Sequence, residues 1–275
     1  MGDSPDHLQP RAHPSAPDLS PSLPGMPSLL DRPERHPLCP AETVRTWGRT
    51  AVLAPHPDDE SLGCGGLLAT LAAAGVPARV VVVTDGARSH PGSPSYPADR
   101  LRQLREAEAT EAVTELGLGP ADVTFLRHPD CGVPGPGTDA FDDAAGRLAA
   151  ALDRTETVLV PWRRDPHCDH VATWELAAAA AARLDDPPRW IEYPVWAWPH
   201  AETDVAPQEG EAVAWRLDIG GVLEAKRRAV AAHRSQTTAL IDDDPDGFRL
   251  APEMLAYFDR PWELFLEPGR PWKPG

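Results

Sequence analysis

Residues 78–86 read ARVVVVTDG, with four valines in a row. A β-branched run with no polar alternation suits neither a helix nor a half-solvated strand, because it is apolar on both faces. It suits an inner strand of a parallel sheet with helices on either side. The same texture recurs in TAVLAPH (50–56), DVTFLRHPD (122–130) and TVLVPW (157–162). Between these strands lie helical stretches at 62–75, 98–119, 143–154 and 170–184, the first two closed by glycine. Strands alternating with helices predict an α/β fold, a Rossmann-like, mostly parallel sheet sandwiched between helices. Beyond residue 188 the pattern loosens. Segments 189–198 and 212–219 read as further strands near a sheet edge, and 222–240 as a helix. Residues 1–40, rich in Pro, Ser, His and Asp, cannot bury enough apolar surface to order themselves, so a disordered tail is expected before a single domain over 41–275.

In an open α/β sheet, ligands bind beyond the carboxyl ends of the strands, so a metal site is expected there. The first strand runs into His56, Asp58 and Asp59, with Glu60 next. The second ends in Thr84, Asp85 and Gly86, and the third in Arg127, His128 and Asp130. The fourth ends in Trp162 and then RRDPHCDH, with Asp165, His167, Asp169 and His170. Solvation alone scatters polar residues over both edges of a sheet; four strands delivering them to one edge points to an enzyme.

The residue types suggest zinc. A catalytic zinc takes three ligands from His and carboxylate and keeps one position open. His56 and Asp59 lie three apart on a tight strand-to-helix turn. His167 and His170 lie three apart where a helix starts, so they share a face, and one of them completes the set. Asp58 is then left beside the metal as a general base. The other histidine stabilises the oxyanion or protonates the leaving amine, and Asp169 orients one of the two rings. The His-rich set favours zinc over the magnesium of a phosphatase. Each cluster alone also reads as helix capping and dipole complementarity; two clusters at neighbouring strand ends do not. Gly63, Gly65 and Gly66 lack the G-x-G-x-x-G spacing and read as close helix-to-sheet packing. Trp162, Tyr193, Trp196 and Trp198 are candidates for a sugar-binding wall, with core packing the alternative for each.

Net charge narrows the partners. At -16 the chain repels nucleic acid and anionic lipid. It has no run of 18 apolar residues for a membrane span and no apolar core in its first 40 residues for a signal peptide. Four scattered cysteines, Cys39, Cys64, Cys131 and Cys168, fit a reducing cytoplasm better than a disulfide framework. A homo-oligomer is compatible with all of this. One motif stands apart: DDDPDGFRLAPE (242–253) matches a calcium loop through Asp242, Asp244, Asp246 and Glu253. Pro245, Pro252 and Arg249 oppose that reading, and an acidic turn is expected.

PHPDDE after the first strand and DPHCDH after a later one resemble the LmbE-like or PIG-L family of zinc-dependent N-acetylglucosaminyl deacetylases, from about residue 48 to 267. REAEATEAVTELG, FLRHPDCG, KRRAVAAHRSQ and WELFL are weaker matches. The resemblance implies zinc on His56, Asp59 and His170, with Asp58 as the base. It implies His167 as the charged partner of the tetrahedral intermediate, oriented by Asp169. The implied substrate is a small N-acetylated sugar, with Arg105, Asp130 and Trp162 as expected contacts and acetate as a product. Arg105 contacts substrate or braces the site; a solvated helix charge is the alternative. Cys168 stands where Pro is common in the family, and Asp165 where some members have Tyr. Two neighbouring readings are a zinc amidase acting on a sugar-linked thiol conjugate and a carbohydrate-binding relative without turnover. The intact Asp58 argues against the second.

Overall fold

The computed structural model describes residues 27–268. Eight strands form one sheet: β1 (Leu38–Cys39), β2 (Thr50–Ala54), β3 (Ala78–Thr84), β4 (Val123–His128), β5 (Thr157–Pro161), β6 (Arg189–Tyr193), β7 (Ala212–Asp218) and β8 (Trp262–Pro268). Their order is β1-β7-β8-β6-β5-β2-β3-β4. All pairings are parallel except those of β8, which runs antiparallel to β6 and β7. The principal helices are α1 (Asp59–Ala73), α2 (Ala98–Glu115), α3 (Asp139–Ala151), α4 (Cys168–Ala181) and α5 (Leu223–Ala232), followed by the short α6 (Arg234–Thr237) and α7 (Pro252–Leu255). No helix among the described residues is long and apolar enough to cross a membrane.

The valine run behaves as its composition requires. Val80 and Val82 enter one core with Leu67, Leu71, Val113 and Ala229, from α1, α2 and α5. Val81 and Val83 enter a second core with Phe141, Leu148, Leu176 and Ala180, from α3 and α4. The sheet is therefore covered on both faces. From β2 the chain builds outward to β3 and β4, then returns to the other side of β2 to lay down β5 and β6. That reversal opens a crevice between the carboxyl ends of β2 and β5, which are the ends that carry the His–Asp clusters.

Three expectations need adjusting. Residues 27–40, assigned from composition to the tail, are packed: Leu29 and Leu30 are buried, His36 Nε2 meets Leu29 O at 2.6 Å, and β1 pairs with β7. The remainder of the expected tail, residues 1–26, lies outside the described residues. Helix α1 starts at Asp59 rather than Leu62, so Asp58 is its N-cap residue and Asp59 and Glu60 lie in its first turn. The stretch read as one helix over 222–240 breaks at His233, whose φ of -77° and ψ of 58° are not helical.

The glycines of α1 act through close approach. A Cβ on Gly63 would stand 2.3 Å from the Tyr193 ring, and one on Gly66 2.4 Å from Ile219 Cδ1. Tyr193 cannot yield readily, because it is fully buried and its hydroxyl donates to Leu53 O at 2.7 Å. Overpacking of this kind costs about 1–3 kcal/mol. Gly66→Ala is accordingly expected to lower the unfolding free energy by about that much in urea melts. Gly221→Ala, facing open space, sets the baseline.

Candidate metal centre

The turn from β2 into α1 is held in a conformation that an ordinary residue avoids. Asp58 has φ 154° and ψ -26°, a region that costs on the order of 1–3 kcal/mol and persists only where the surroundings enforce it. The enforcing contacts are specific. Asp58 N donates to Glu60 Oε2 at 3.0 Å, and Glu60 Oε1 receives Ser61 Oγ at 2.6 Å and His233 Nε2 at 2.9 Å. Arg105, only 3% exposed, donates to Asp58 Oδ2 at 3.2 Å, Pro57 O at 2.9 Å and Gly86 O at 2.9 Å. Arg105 is thus a buried brace that also reaches the cleft wall, and not a solvated helix charge. Burial pushes the Asp58 carboxyl up to about 6, with the Arg105 cation opposing the rise.

Asp59 joins the two His–Asp clusters. Its Oδ2 accepts from His56 N at 2.9 Å, and stands 3.3 Å from His56 Nδ1 and 3.2 Å from His170 Nε2. Ligand atoms on a tetrahedral ion, with bonds of about 2.0–2.2 Å, stand about 3.3–3.5 Å apart. His170 is fully buried, and neither of its ring nitrogens has an aligned hydrogen-bond partner. Burial opposes a charge on His56, yet Asp169 and Asp59 hold its pKa up at about 10. A positive charge is therefore stabilised at this point, and a metal ion on Nδ1 supplies one as well as a proton does. The donor types, their spacing and the unpartnered imidazole all fit a divalent ion on His56, Asp59 and His170.

His167 lies close by, its ring centroid 4.5 Å from that of His56 and 5.4 Å from that of His170. One ring nitrogen from each of the three imidazoles falls within 4.8 Å of the other two. His167 caps α4, however, and its Nδ1 accepts from Asp169 N at 3.2 Å. The Asp169 carboxylate accordingly turns elsewhere: Oδ2 accepts from His56 Nε2 at 3.0 Å and from Cys131 N at 2.8 Å. The ring that Asp169 orients is His56, not His167. Burial, reinforced by the His56 and His170 charges, pushes His167 down to about 4. It is then a neutral imidazole at pH 7, where the resemblance implies a charged one.

Asp165, placed at the fourth strand end by the sequence but given no role there, bears directly on the site geometry. Its Oδ2 accepts from Val195 N, Trp196 N and Ala197 N at 2.9, 2.9 and 3.3 Å, while Oδ1 faces His170 Nδ1 at 3.4 Å. It fixes the loop after β6 and the ring of His170 together. Only its place two residues before His167 hinted at a role; the loop it binds lies thirty residues away in sequence.

A cleft of about 460 Å³ adjoins these groups, lined by Asp58, His167 and Asp130 together with Arg88, Trp196 and Phe248. Asp130 accepts from Arg88 N at 3.1 Å and lies 3.8 Å from His56 Nε2. Of the four aromatic candidates Trp196 lines the cleft. Trp162 does not: it is fully buried, donates to Val205 O at 2.7 Å, and is covered by the guanidiniums of Arg163 and Arg164. It continues the apolar run of β5 into the core. Tyr193 and Trp198 are core residues too. The acidic stretch 242–253 serves as a clamp: Asp243 accepts from Ser93 Oγ and Ser95 N, and Asp244 from Gly92 N.

The profile of the PIG-L family, described as GlcNAc-PI de-N-acetylase, matches residues 51–181. A 1D-myo-inositol 2-acetamido-2-deoxy-alpha-D-glucopyranoside deacetylase of Nocardia farcinica is 30% identical, over 70% of this chain and 81% of its own. Among solved structures, the conserved protein TT1542 of Thermus thermophilus superposes with a TM-score of 0.58 at 27% identity, over 82% of this chain and 96% of its own. GalB of Pseudomonas putida, a 4-carboxy-2-hydroxymuconate hydratase, superposes with a TM-score of 0.54 at 19% identity, over 82% of this chain and 98% of its own. The fold therefore accompanies more than one chemistry, and the side chains of the crevice must decide between them.

Removing the Arg105 charge leaves Asp58 buried without its cation, a change that costs about 3–5 kcal/mol. Arg105→Met is expected to lose about that much in denaturant unfolding. Arg127→Met, at an exposed pair with Glu106, is expected to lose under about 1 kcal/mol.

Proposed function

The chain belongs to the PIG-L family, and from that premise we propose that it hydrolyses the N-acetyl group of an N-acetylglucosaminyl small molecule, releasing acetate and a free amine. The observation that carries this reading is the Asp59 oxygen set between His56 and His170, with the constrained Asp58 one residue away.

In this reading His56, Asp59 and His170 hold a zinc ion, which when bound supplies a Lewis acid for the acetyl carbonyl and a water of lowered pKa. Asp58 does the proton transfer. With a pKa of about 6 it is mostly carboxylate at pH 7, able to take a proton from the attacking water and return it to the departing nitrogen. Arg105 keeps that carboxylate aimed through its contact with Oδ2. His167 stabilises the oxyanion as a neutral donor. Its Nδ1 lone pair accepts the Asp169 amide, so the ring proton resides on Nε2 and is available to the substrate oxygen. Asp169, through His56 Nε2, and Asp165, facing His170 Nδ1, fix the orientation of the two ligand rings. Trp196 offers an aromatic face to the sugar, with Phe248 beside it at a ring separation of 5.7 Å.

Purified protein is expected to contain at least one zinc per chain. It should release acetate and primary amine in equal amounts from free or inositol-linked N-acetylglucosamine, stop when treated with a chelator, and recover with added zinc. Absence of acetate from every N-acetylated sugar offered to the zinc-loaded protein would overturn the reading. Asp58→Asn is expected to retain the metal while kcat drops by roughly 10²–10⁴-fold; unaltered turnover in that variant would remove Asp58 from the chemistry.

A further inference from the structure

The reaction above uses no thiol, yet two thiols meet beside its cleft. Cys168 Sγ lies 3.1 Å from Cys131 Sγ and 4.0 Å from His167 Nδ1. Both cysteines are free and exposed. They arrive from different loops. Cys131 sits in the turn after β4 with φ 56°, and Cys168 is the first residue of α4. The pairing does not depend on the sulfurs themselves, because Cys131 N donates to Asp169 Oδ2 at 2.8 Å and ties the turn to the start of α4. One donor atom from each of Cys131, His167, Cys168 and Asp169 lies within 4.8 Å of the others.

We propose that Cys131, Cys168 and His167, with Asp169, form a second cation site, separate from the His56–Asp59–His170 set and selective for a thiophilic divalent ion such as zinc or cadmium. A tetrahedral ion with bonds of about 2.3 Å to sulfur and about 2.0–2.1 Å to nitrogen spaces its sulfurs about 3.8 Å apart and sulfur from nitrogen about 3.5 Å. The observed separations of 3.1 and 4.0 Å fall on either side of these values, so shifts of under about 1 Å form the site. On binding, each thiol loses its proton and two protons leave per ion. The ion replaces the contact between the sulfurs and takes the Nδ1 lone pair from the Asp169 amide. Thiolate donors select soft and borderline ions over magnesium or calcium. The exposure of both cysteines gives the ion a path in. The -16 net charge, concentrated here by Asp58, Asp59, Asp130 and Asp169, attracts it. His167 and Asp169 are common to this site and to the proposed reaction, and in that respect alone the inference rests on the reading of the active site.

The test is a cadmium titration of the holoprotein, kept reduced with a phosphine. It follows the ultraviolet charge-transfer band of thiolate-bound cadmium and the metal retained after dialysis. The wild-type chain should show a band that saturates at one cadmium per chain. Cys131→Ser and Cys168→Ser should each abolish the saturating band, and Cys39→Ser should leave it intact. A band that persists in both variants, or that is missing from wild-type protein with all four thiols free, overturns the proposal. Acetate release is scored separately. An inactive chain with the band keeps this site and loses the catalytic reading, whereas an active chain without the band does the reverse.

Discussion

One carboxylate oxygen, Oδ2 of Asp59, connects the two sides of the crevice. It approaches His56, from the turn after β2, and His170, from the first turn of α4, at nearly equal distances. Those elements are far apart in sequence and neighbours in space only because the sheet reverses its direction of growth between β2 and β5. The topology therefore creates the site, and the chemistry follows from which side chains the strand ends deliver. Parallel pairing of β2 and β5 also sets the reach: both strands end at the same level, so the short loops 55–58 and 162–167 suffice to bring the imidazoles together.

A second set of buried polar contacts holds α1 against the rest of the molecule. Glu60 binds His233, Glu108 receives the amide and hydroxyl of Ser235 at 2.9 and 2.6 Å, and Lys226 pairs with Glu263 at 2.7 Å. Glu263 in turn accepts from the mid-helix amides of Gly66 and Leu67. These pairs link α1, α2, α5, α6 and β8 through groups that are costly to bury alone and acceptable together. The weak sequence matches at KRRAVAAHRSQ and WELFL thus correspond to one physical unit, a polar scaffold beneath the turn from β2 into α1.

Much of this was legible in the residues. Continuous apolar strands alternating with helices point to a sheet between two helical layers, and that was enough to place the sheet and the edge where chemistry gathers, though not the order of its strands. His56, Asp58, Asp59, His167, Asp169 and His170 could be placed together at one sheet edge because short loops at strand ends leave them nowhere else to go. What escaped was the pairing within the cluster. Asp169 lies beside His167 in sequence and binds His56 across the crevice, because the backbone of a helix N-terminus claims the nearer ring. Trp162 was misplaced because aromatic composition does not reveal whether a strand has passed out of the core. Asp165 was named without a role because its partners, three consecutive amides, carry no side-chain signal. Residues 27–40 look unfoldable alone and gain order only by joining an edge made from residues 208–217.

Helix α1 lies so low on the sheet that Tyr193 and Ile219 touch its bare backbone. Its first turn carries Asp59, so the seating of the helix sets the height of that carboxylate above the floor of the crevice. Anything that thickens the seam beneath the middle of the rod tips its acidic end like a beam on a pivot. The alignment of the reactive groups is thus adjusted from positions that never meet the sugar, and drift in that remote joint can detune the enzyme while every group named in its chemistry stays unchanged.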